Sequence, residues 1–370
     1  MITQELLYRL ALTQLPGIGP ISARNLIRAA GNATTLFEHK DILTDIIPEA
    51  SSTLKKILDC KDAIRLCEAE LRFAEKNRIE CLCETDEEYP SRLRECEDAP
   101  LVLFYRGNAN LNKTHVINMV GTRNATEYGK DICIRFIREL KELMPDVLIV
   151  SGLAYGIDIN AHRAALQNGM ETIGVLAHGL DRIYPSAHRK TATEMVTHGG
   201  LLTEFMSGTN PDRQNFIKRN RIVAGICDAT IVVESAEKGG SLITADIAES
   251  YHRDCFAFPG RINDTYSAGC NNLIRNNRAA LLQSAEELIA AMNWNSRHTI
   301  PQAVQRQLFP ELDDKEQNIV SILQKYPEGI QVNTLVVKSN MAINHLTGVL
   351  FGLEMKGIVK VLAGGIYRLI

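Results

Sequence analysis

Apolar positions along the chain follow two different periods. Up to about residue 75 they fall at helical spacing: Leu6, Leu7, Leu10 and Ala11 form one stripe, and Leu54, Ile57, Leu58 and Ile64 form others. From about 80 to 290, short apolar runs alternate with longer amphipathic segments. Val116–Val120, Val147–Ser151, Thr172–Leu176, Leu201–Glu204, Thr230–Glu234 and Cys255–Phe258 read as strands. Segments near 126–142, 157–168, 187–198, 212–225 and 241–252 read as the helices between them. Upstream, Glu80–Cys83 and Leu101–Arg106 add strands or a lead-in hairpin. Such alternation predicts an α/β fold with a mostly parallel sheet and helices on both faces.

Residues 294–311 lose this periodicity and carry two prolines and three glutamines, the composition of a linker. After it come a helix ending near Lys325, a short one at Val332–Val337 and a third at Ala342–Lys356. Ile358–Leu362, Gly364-Gly365 and Ile366–Ile370 then read as a hairpin. Three helices followed by a hairpin is the order of a winged helix. The expected division is therefore a helical domain at 1–75, an α/β domain at 76–293, a linker at 294–311 and a winged helix at 312–370. Within the first, Leu15-Pro16-Gly17-Ile18-Gly19-Pro20 carries the h-x-G-h-G signature of a helix-hairpin-helix turn, which serves as a structural turn or as a phosphate contact.

Composition narrows the class. A chain of 370 residues with 45% hydrophobic content buries a sizeable core over two or three domains. Its net charge of −3 confines any nucleic-acid surface to a local patch. No apolar run is long enough to span a bilayer and the opening residues do not read as a signal peptide, so no membrane insertion and a cytoplasmic location are expected. The nine cysteines are scattered without a C-x-x-C pair, which fits free thiols in a reducing compartment rather than a zinc site or disulfide framework.

The chemistry sits in the loops at the strand ends, which a parallel sheet gathers on one rim. Gly121-Thr122-Arg123 closes the strand at 116–120 with too few glycines for a dinucleotide fingerprint, and no P-loop motif occurs anywhere. Hydride transfer and P-loop ATP hydrolysis are disfavoured. On spacing alone Arg123 serves equally as an anion contact or as a surface residue with a carboxylate partner. In Ser151-Gly152-Leu153-Ala154-Tyr155-Gly156-Ile157-Asp158 the glycines permit sharp turns, and Asp158 suits a helix N-cap or first turn. It stands four residues before His162, a spacing that serves a catalytic acid–base pair or, with no nucleophile nearby, a structural carboxylate–imidazole hydrogen bond. His178 and His188 flank Tyr184-Pro185 without metal-ligand spacing and read as loop packing.

Arg213, Lys218, Arg219 and Arg221 fall within nine residues that contain no acid. Helical spacing puts Arg213, Phe216 and Asn220 on one face, a cation beside a ring as sequence-tolerant single-strand binders use. The alternative is a core phenylalanine with a solvated cationic face. Gly239-Gly240-Ser241 opens a helix and presents amides and a hydroxyl to an anion, or forms a plain capped turn. Together these loops suit a polyanion better than a small substrate.

These segments closely resemble the DNA-processing protein A (DprA/Smf) family over about 80–290. The markers are G-T-R at 121–123, S-G-L-A-Y-G-I-D at 151–158, G-L-D-R-I-Y-P at 179–185, L-L-T-E-F at 201–205, F-I-K-R-N-R-I-V-A-G at 216–225, G-G-S-L-I-T-A at 239–245 and P-G at 259–260. The resemblance implies an extended Rossmann-like sheet flanked by a sterile-alpha-motif-like helical domain and a winged helix. It implies a dimeric, non-enzymatic binder of single-stranded DNA that needs no cofactor, protects incoming strands and loads a RecA-type recombinase during natural transformation, helping to displace single-strand-binding protein. By motif, Arg123 corresponds to a phosphate-gripping arginine, with Thr122 in place of the commoner serine, and Arg213 and Phe216 to the cation and aromatic that touch DNA. The expected DNA-binding set is Gly121, Thr122, Arg123, Ser151, Gly152, Arg213, Phe216, Lys218, Arg219, Asn220, Arg221, Gly239, Gly240 and Ser241. The presumed recognition helix of the winged helix has only one cation, Lys356, which favours an accessory or protein-contact role.

The rival class is a nucleotide-binding or nucleoside-monophosphate-processing enzyme, since related sheets with G-G-rich loops cleave such substrates. Those sites place a glutamate soon after the glycines, and here none occurs before Glu249. A winged-helix transcription factor would need base contacts that the C-terminal segment does not supply.

Overall fold

The computed structural model describes residues 3–39, 57–59, 61–294, 312–327, 329–362 and 365–369. Leu54, most of the linker segment and Gly364 lie outside the described residues. The chain separates into two compact units, Met1–Arg297 and His298–Ile370.

In the first unit, helices α1 (Gln4–Thr13), α2 (Pro20–Ala30), α3 (Ala33–Glu38) and α4 (Lys61–Lys76) precede the sheet. Strands β1 (Glu80–Cys83) and β2 (Val102–Gly107), with the short α5 (Ser91–Arg94) between them, lead into β3 (Val116–Val120) and α6 (Glu127–Leu143). Then follow β4 (Leu148–Ser151), α7 (Ile157–Gln167), β5 (Thr172–Val175), α8 (Arg189–Met195), β6 (Gly199–Thr203), α9 (Arg213–Gly225), β7 (Ala229–Val232), α10 (Gly240–Ser250) and β8 (Asp254–Ala257). Helix α11 (Ala268–Arg275), β9 (Ala280–Leu281) and α12 (Ala285–Ala291) complete the unit.

The sheet order is β1-β2-β6-β5-β4-β3-β7-β8-β9. All pairs from β6 to β9 are parallel, whereas β1–β2 and β2–β6 are antiparallel. The expected α/β fold and its strands are present, with boundaries within two residues; α5, α11, α12 and β9 had no expectation. Alternation along β3 explains the two helical layers. Val116 and Val120 join Ile222, Val223 and Ala245 of α9 and α10 in one core, while Ile117 and Met119 join Phe136, Ile137 and Ala161 of α6 and α7 in the other.

Because β4 follows β3 on one side and β7 lies on the other, the connections leaving β3 and β7 diverge. This opens a crevice at their carboxyl ends, the place where doubly wound sheets bind ligands.

The N-terminal helices are not packed apart from the sheet. Leu10, Leu36, Cys67 and Leu71 share one apolar cluster with Cys83, Val102 and Phe104 of β1 and β2. The boundary expected at residue 75 is thus a junction inside one compact unit. Glu84 pins it, receiving Arg9 at 3.4 Å and Arg24 at 2.9 Å, with all three side chains largely buried.

The second unit contains α13 (Asp314–Leu323), β10 (Ile330–Gln331), α14 (Val332–Ser339), α15 (Ile343–Met355), β11 (Val359–Leu362) and β12 (Ile366–Leu369), with sheet order β10-β12-β11. Helix α13 starts with a capping box between Asp313 and Glu316. The helix and hairpin order matches the one expected from the sequence.

Removing Glu84 leaves the part-buried Arg24 guanidinium without its carboxylate and Arg9 with Glu5 alone. Glu84→Ala is expected to lower unfolding free energy by about 2–3 kcal/mol, measured by urea unfolding, with the first loss of amide protection in α1 and α2. Unchanged stability would show that apolar packing alone holds the junction.

Candidate nucleic-acid interface

The crevice is built by close backbone approach. The Thr122 N–H donates to Glu234 O at 2.7 Å, and the Ile157 N–H donates to Thr122 O at 3.1 Å, so the loops after β3, β4 and β7 are tied together. A Cβ on Gly121 would lie 2.4 Å from the Ile157 side chain, and one on Gly156, whose φ is +78°, would lie 2.0 Å from Thr122 O. Only glycine permits both approaches. The buried Glu234 carboxylate accepts from the Thr126 N–H and hydroxyl, fixing the start of α6 against β7.

A cavity of about 890 Å³ lies over this junction. Its lining includes Gly121, Thr122, Arg123, Tyr184, Arg213, Phe216, Arg219, Asn220 and the Lys238–Ser241 turn. Arg123 is exposed, and its guanidinium carbon lies 5.0 Å from the centroid of the half-buried Phe216 ring. No carboxylate stands within ion-pair distance of Arg123 among the described residues, so the open choice for this arginine falls against a carboxylate partner. Arg213 and Phe216 come from the first turn of α9 and Asn220 from the next, as helical spacing requires. Gly240, at the start of α10, is exposed, and open space surrounds the position a Cβ would take. Gly240 and Ser241, the first residues of α10, line the cavity, and no side chain caps this helix start.

Of the expected binding residues, the structure brings Gly121, Thr122, Arg123, Arg213, Phe216, Asn220, Gly239, Gly240 and Ser241 to one lining. Arg219 lies on the same lining, whereas Ser151, Gly152, Lys218 and Arg221 do not. Arg219, only 4% exposed, turns inward and donates to Gly152 O at 2.6 Å and to Val175 O. It forms the floor of the cavity 5.7 Å from the Phe216 centroid, with Nη1 committed to the two carbonyls. Burial pulls its pKa down to about 10, with Asp158 opposing, and it stays charged at neutral pH. Arg221 is likewise committed to Glu204 and Asp98 O. Ser151 is buried and its hydroxyl donates to Met119 O at 2.6 Å, and Gly152 is buried against the Arg219 guanidinium. Lys218 is exposed but does not line the cavity.

The Asp158–His162 hydrogen bond expected from their spacing does not form. Asp158 turns back to accept from the Gly152 and Ala154 amides at 3.2 and 3.3 Å. Burial pushes its carboxyl up from the ordinary value, against the pull of Arg219 and those amides. His162 instead faces Thr172, whose hydroxyl proton goes to Ile149 O, so His162 Nδ1 is the donor in the 2.7 Å contact. Burial holds its pKa near 3, well below the usual imidazole range, and the ring is neutral. His178 does pack the Tyr184 loop, its Nε2 accepting from the Tyr184 N–H at 3.2 Å.

Tyr184 itself was not among the expected binding residues. It is exposed, it lines the cavity, and its ring centroid lies 6.1 Å from that of Phe216. The signal was present in an aromatic at the tip of a strand-end loop. Lys238, beside the Gly239–Ser241 turn, lines the cavity as well.

Fold and rim define a mostly parallel α/β protein with a cationic, aromatic groove at its switch point, a shape suited to an extended anion. The family model described as DNA recombination-mediator protein A matches residues 80–293, and the chain belongs to that family. The DNA processing protein DprA of Streptococcus pneumoniae is 42% identical over 209 residues, which cover 56% of this chain and 73% of that protein. Protein Smf of Synechocystis is 32% identical over 299 residues, covering 79% of this chain and 74% of that protein. Among solved structures, DprA of S. pneumoniae aligns with TM-score 0.67 and 34% identity over 78% of this chain and 98% of that one. DNA processing protein A of Helicobacter pylori, described for its single-stranded DNA binding mode, aligns with TM-score 0.53 and 30% identity over 59% of this chain and 97% of that one.

The two arginines at the Phe216 ring are expected to separate in one unfolding experiment. Arg219→Ala strips Gly152 O and Val175 O of a donor and leaves Asp158 uncompensated, costing about 3–5 kcal/mol. Arg123→Ala, at an exposed position, is expected to change stability by less than about 0.5 kcal/mol. Equal costs in urea unfolding would contradict this division.

Proposed function

We propose that the groove binds single-stranded DNA, with phosphates held by Arg123, Arg213 and the amide end of α10 and a base stacked on Phe216. One observation carries the reading: an exposed arginine, with no carboxylate partner among the described residues, rests 5.0 Å from a half-buried ring in a cavity also lined by the uncapped start of α10. Guanidinium and amide donors meet phosphate, while a ring accepts any base, so the contact is insensitive to sequence. The binding mode described for the H. pylori protein supports the same ligand.

On this reading the chain is a cytoplasmic, dimeric recombination mediator that shields incoming strands and delivers them to a RecA-type recombinase in natural transformation, displacing single-strand-binding protein. It acts by binding, not by chemistry. The enzyme alternative lacks a free carboxylate where it needs one. Glu249, the first glutamate after the glycine turn, pairs with Arg278 at 2.6 Å, and Asp158 and Glu234 are buried and bonded to loop amides. Residues 312–370 are assigned as a winged helix in an accessory role, because α15 has no lysine or arginine with which to read a duplex. Among the described residues no helix is long and apolar enough to cross a membrane.

Titration of oligo-dT by fluorescence anisotropy at several salt concentrations tests the assignment. Arg123→Ala is expected to weaken binding and reduce the salt slope by about 0.7, the share of one phosphate on a single strand. Phe216→Ala is expected to weaken binding by about 1–3 kcal/mol with the parent's slope. Identical slopes for both variants and the parent, or preference for duplex, would overturn it.

A further inference from the structure

Arg123 also lines a second cavity, of about 510 Å³, together with Lys130, Tyr155, Gly156 and Asn160. The two hollows thus share Arg123. Tyr155 is 49% exposed, yet its ring is propped edge-on by His188 at 4.9 Å, and His188 is buried with Nδ1 2.9 Å from Leu153 O. The next residue, Gly156, is locked against Thr122 O and Arg123, which fixes the loop relative to the first hollow. Asn160 donates its amide to Gly156 O at 2.8 Å, leaving its carbonyl oxygen as an acceptor. Lys130 pairs with Glu127 at 2.6 Å across an exposed helix turn, a surface contact weak enough to yield to a phosphate.

A supported, open ring beside a cation and a lone acceptor repeats the chemistry of the Phe216 hollow. We infer that this cavity is a second nucleotide subsite, in which Tyr155 stacks on a base and Lys130 meets its phosphate as the strand continues past Arg123. The inference rests on the single-strand reading above and extends it: the groove takes a run of nucleotides bent over Arg123, not one inserted base.

Oligo-dT of increasing length separates the two claims. For the shortest oligomers that the parent binds, Tyr155→Ala and Lys130→Ala are expected to bind as the parent does, while Phe216→Ala is weakened. Once the strand is long enough to cross Arg123, Tyr155→Ala is expected to lose about tenfold in affinity, Tyr155→Phe to retain the parent's affinity, and Lys130→Ala to show a smaller salt slope. Parent-like affinity of Tyr155→Ala and Lys130→Ala at every length, with Phe216→Ala still impaired, would overturn the second subsite alone. Equal loss at every length for Tyr155→Ala, with Lys130→Ala unaffected, would assign Tyr155 to loop support and also overturn it. Failure of the parent to bind any oligomer would remove both readings.

Discussion

The rim depends on one buried cation. The Arg219 guanidinium donates to carbonyls at the carboxyl ends of two neighbouring strands, Gly152 after β4 and Val175 in β5, and supports Phe216 from the interior. Gly152 closes the network, because its amide donates to Asp158, whose charge offsets that of the arginine. A Cβ at Gly152 would lie 2.4 Å from the guanidinium, so this glycine is required by the arginine beneath it. An isolated buried charge would be costly; here every component is hydrogen-bonded, and the cost is offset by loop geometry held before any ligand arrives.

The fold was legible because the period of the apolar residues changes where the architecture changes, and the central strands, such as Val116–Val120 and Leu148–Ser151, are short, fully buried and mostly apolar runs. Site geometry was only half legible. Arg213, Phe216 and Asn220 share a face by helical spacing, and they line one cavity. The same periodicity places Arg219 beneath that face: with Ile222 and Val223, both in the core, it forms the inward stripe of α9. Counting cations in a run hides which of them point inward. The four-residue spacing of Asp158 and His162 misled for a related reason. Adjacent faces permit a bond, but the carboxylate had stronger partners in the amides of its own preceding loop.

Charge is sorted by partner more than by number. On α9, Arg221 is paired with Glu204 and Arg219 is buried, while Arg213 and Lys218 remain exposed. A chain with net charge −3 can therefore present a cationic groove from a few unpaired groups. The antiparallel β1–β2 pair covers β6, and the opposite edge, β9, has only two residues, so neither side of the sheet offers a long free strand as a rival surface.

Preorganisation and indifference to sequence have the same origin. The groove sets exposed guanidinium and ammonium groups beside a half-buried ring, groups suited on the proposed reading to phosphates and to the face of any base. The loops around it are fixed by the Thr122–Glu234 and Ile157–Thr122 hydrogen bonds, and the rings are supported by Arg219 and His188. On the proposed single-strand reading, the protein side is already ordered, so the entropy lost on binding would fall mainly on the flexible strand, and each further nucleotide meeting a ring and a cation would offset its own ordering. On that reading a groove built this way would gain affinity with strand length rather than with sequence, the property a handler of arbitrary single strands requires.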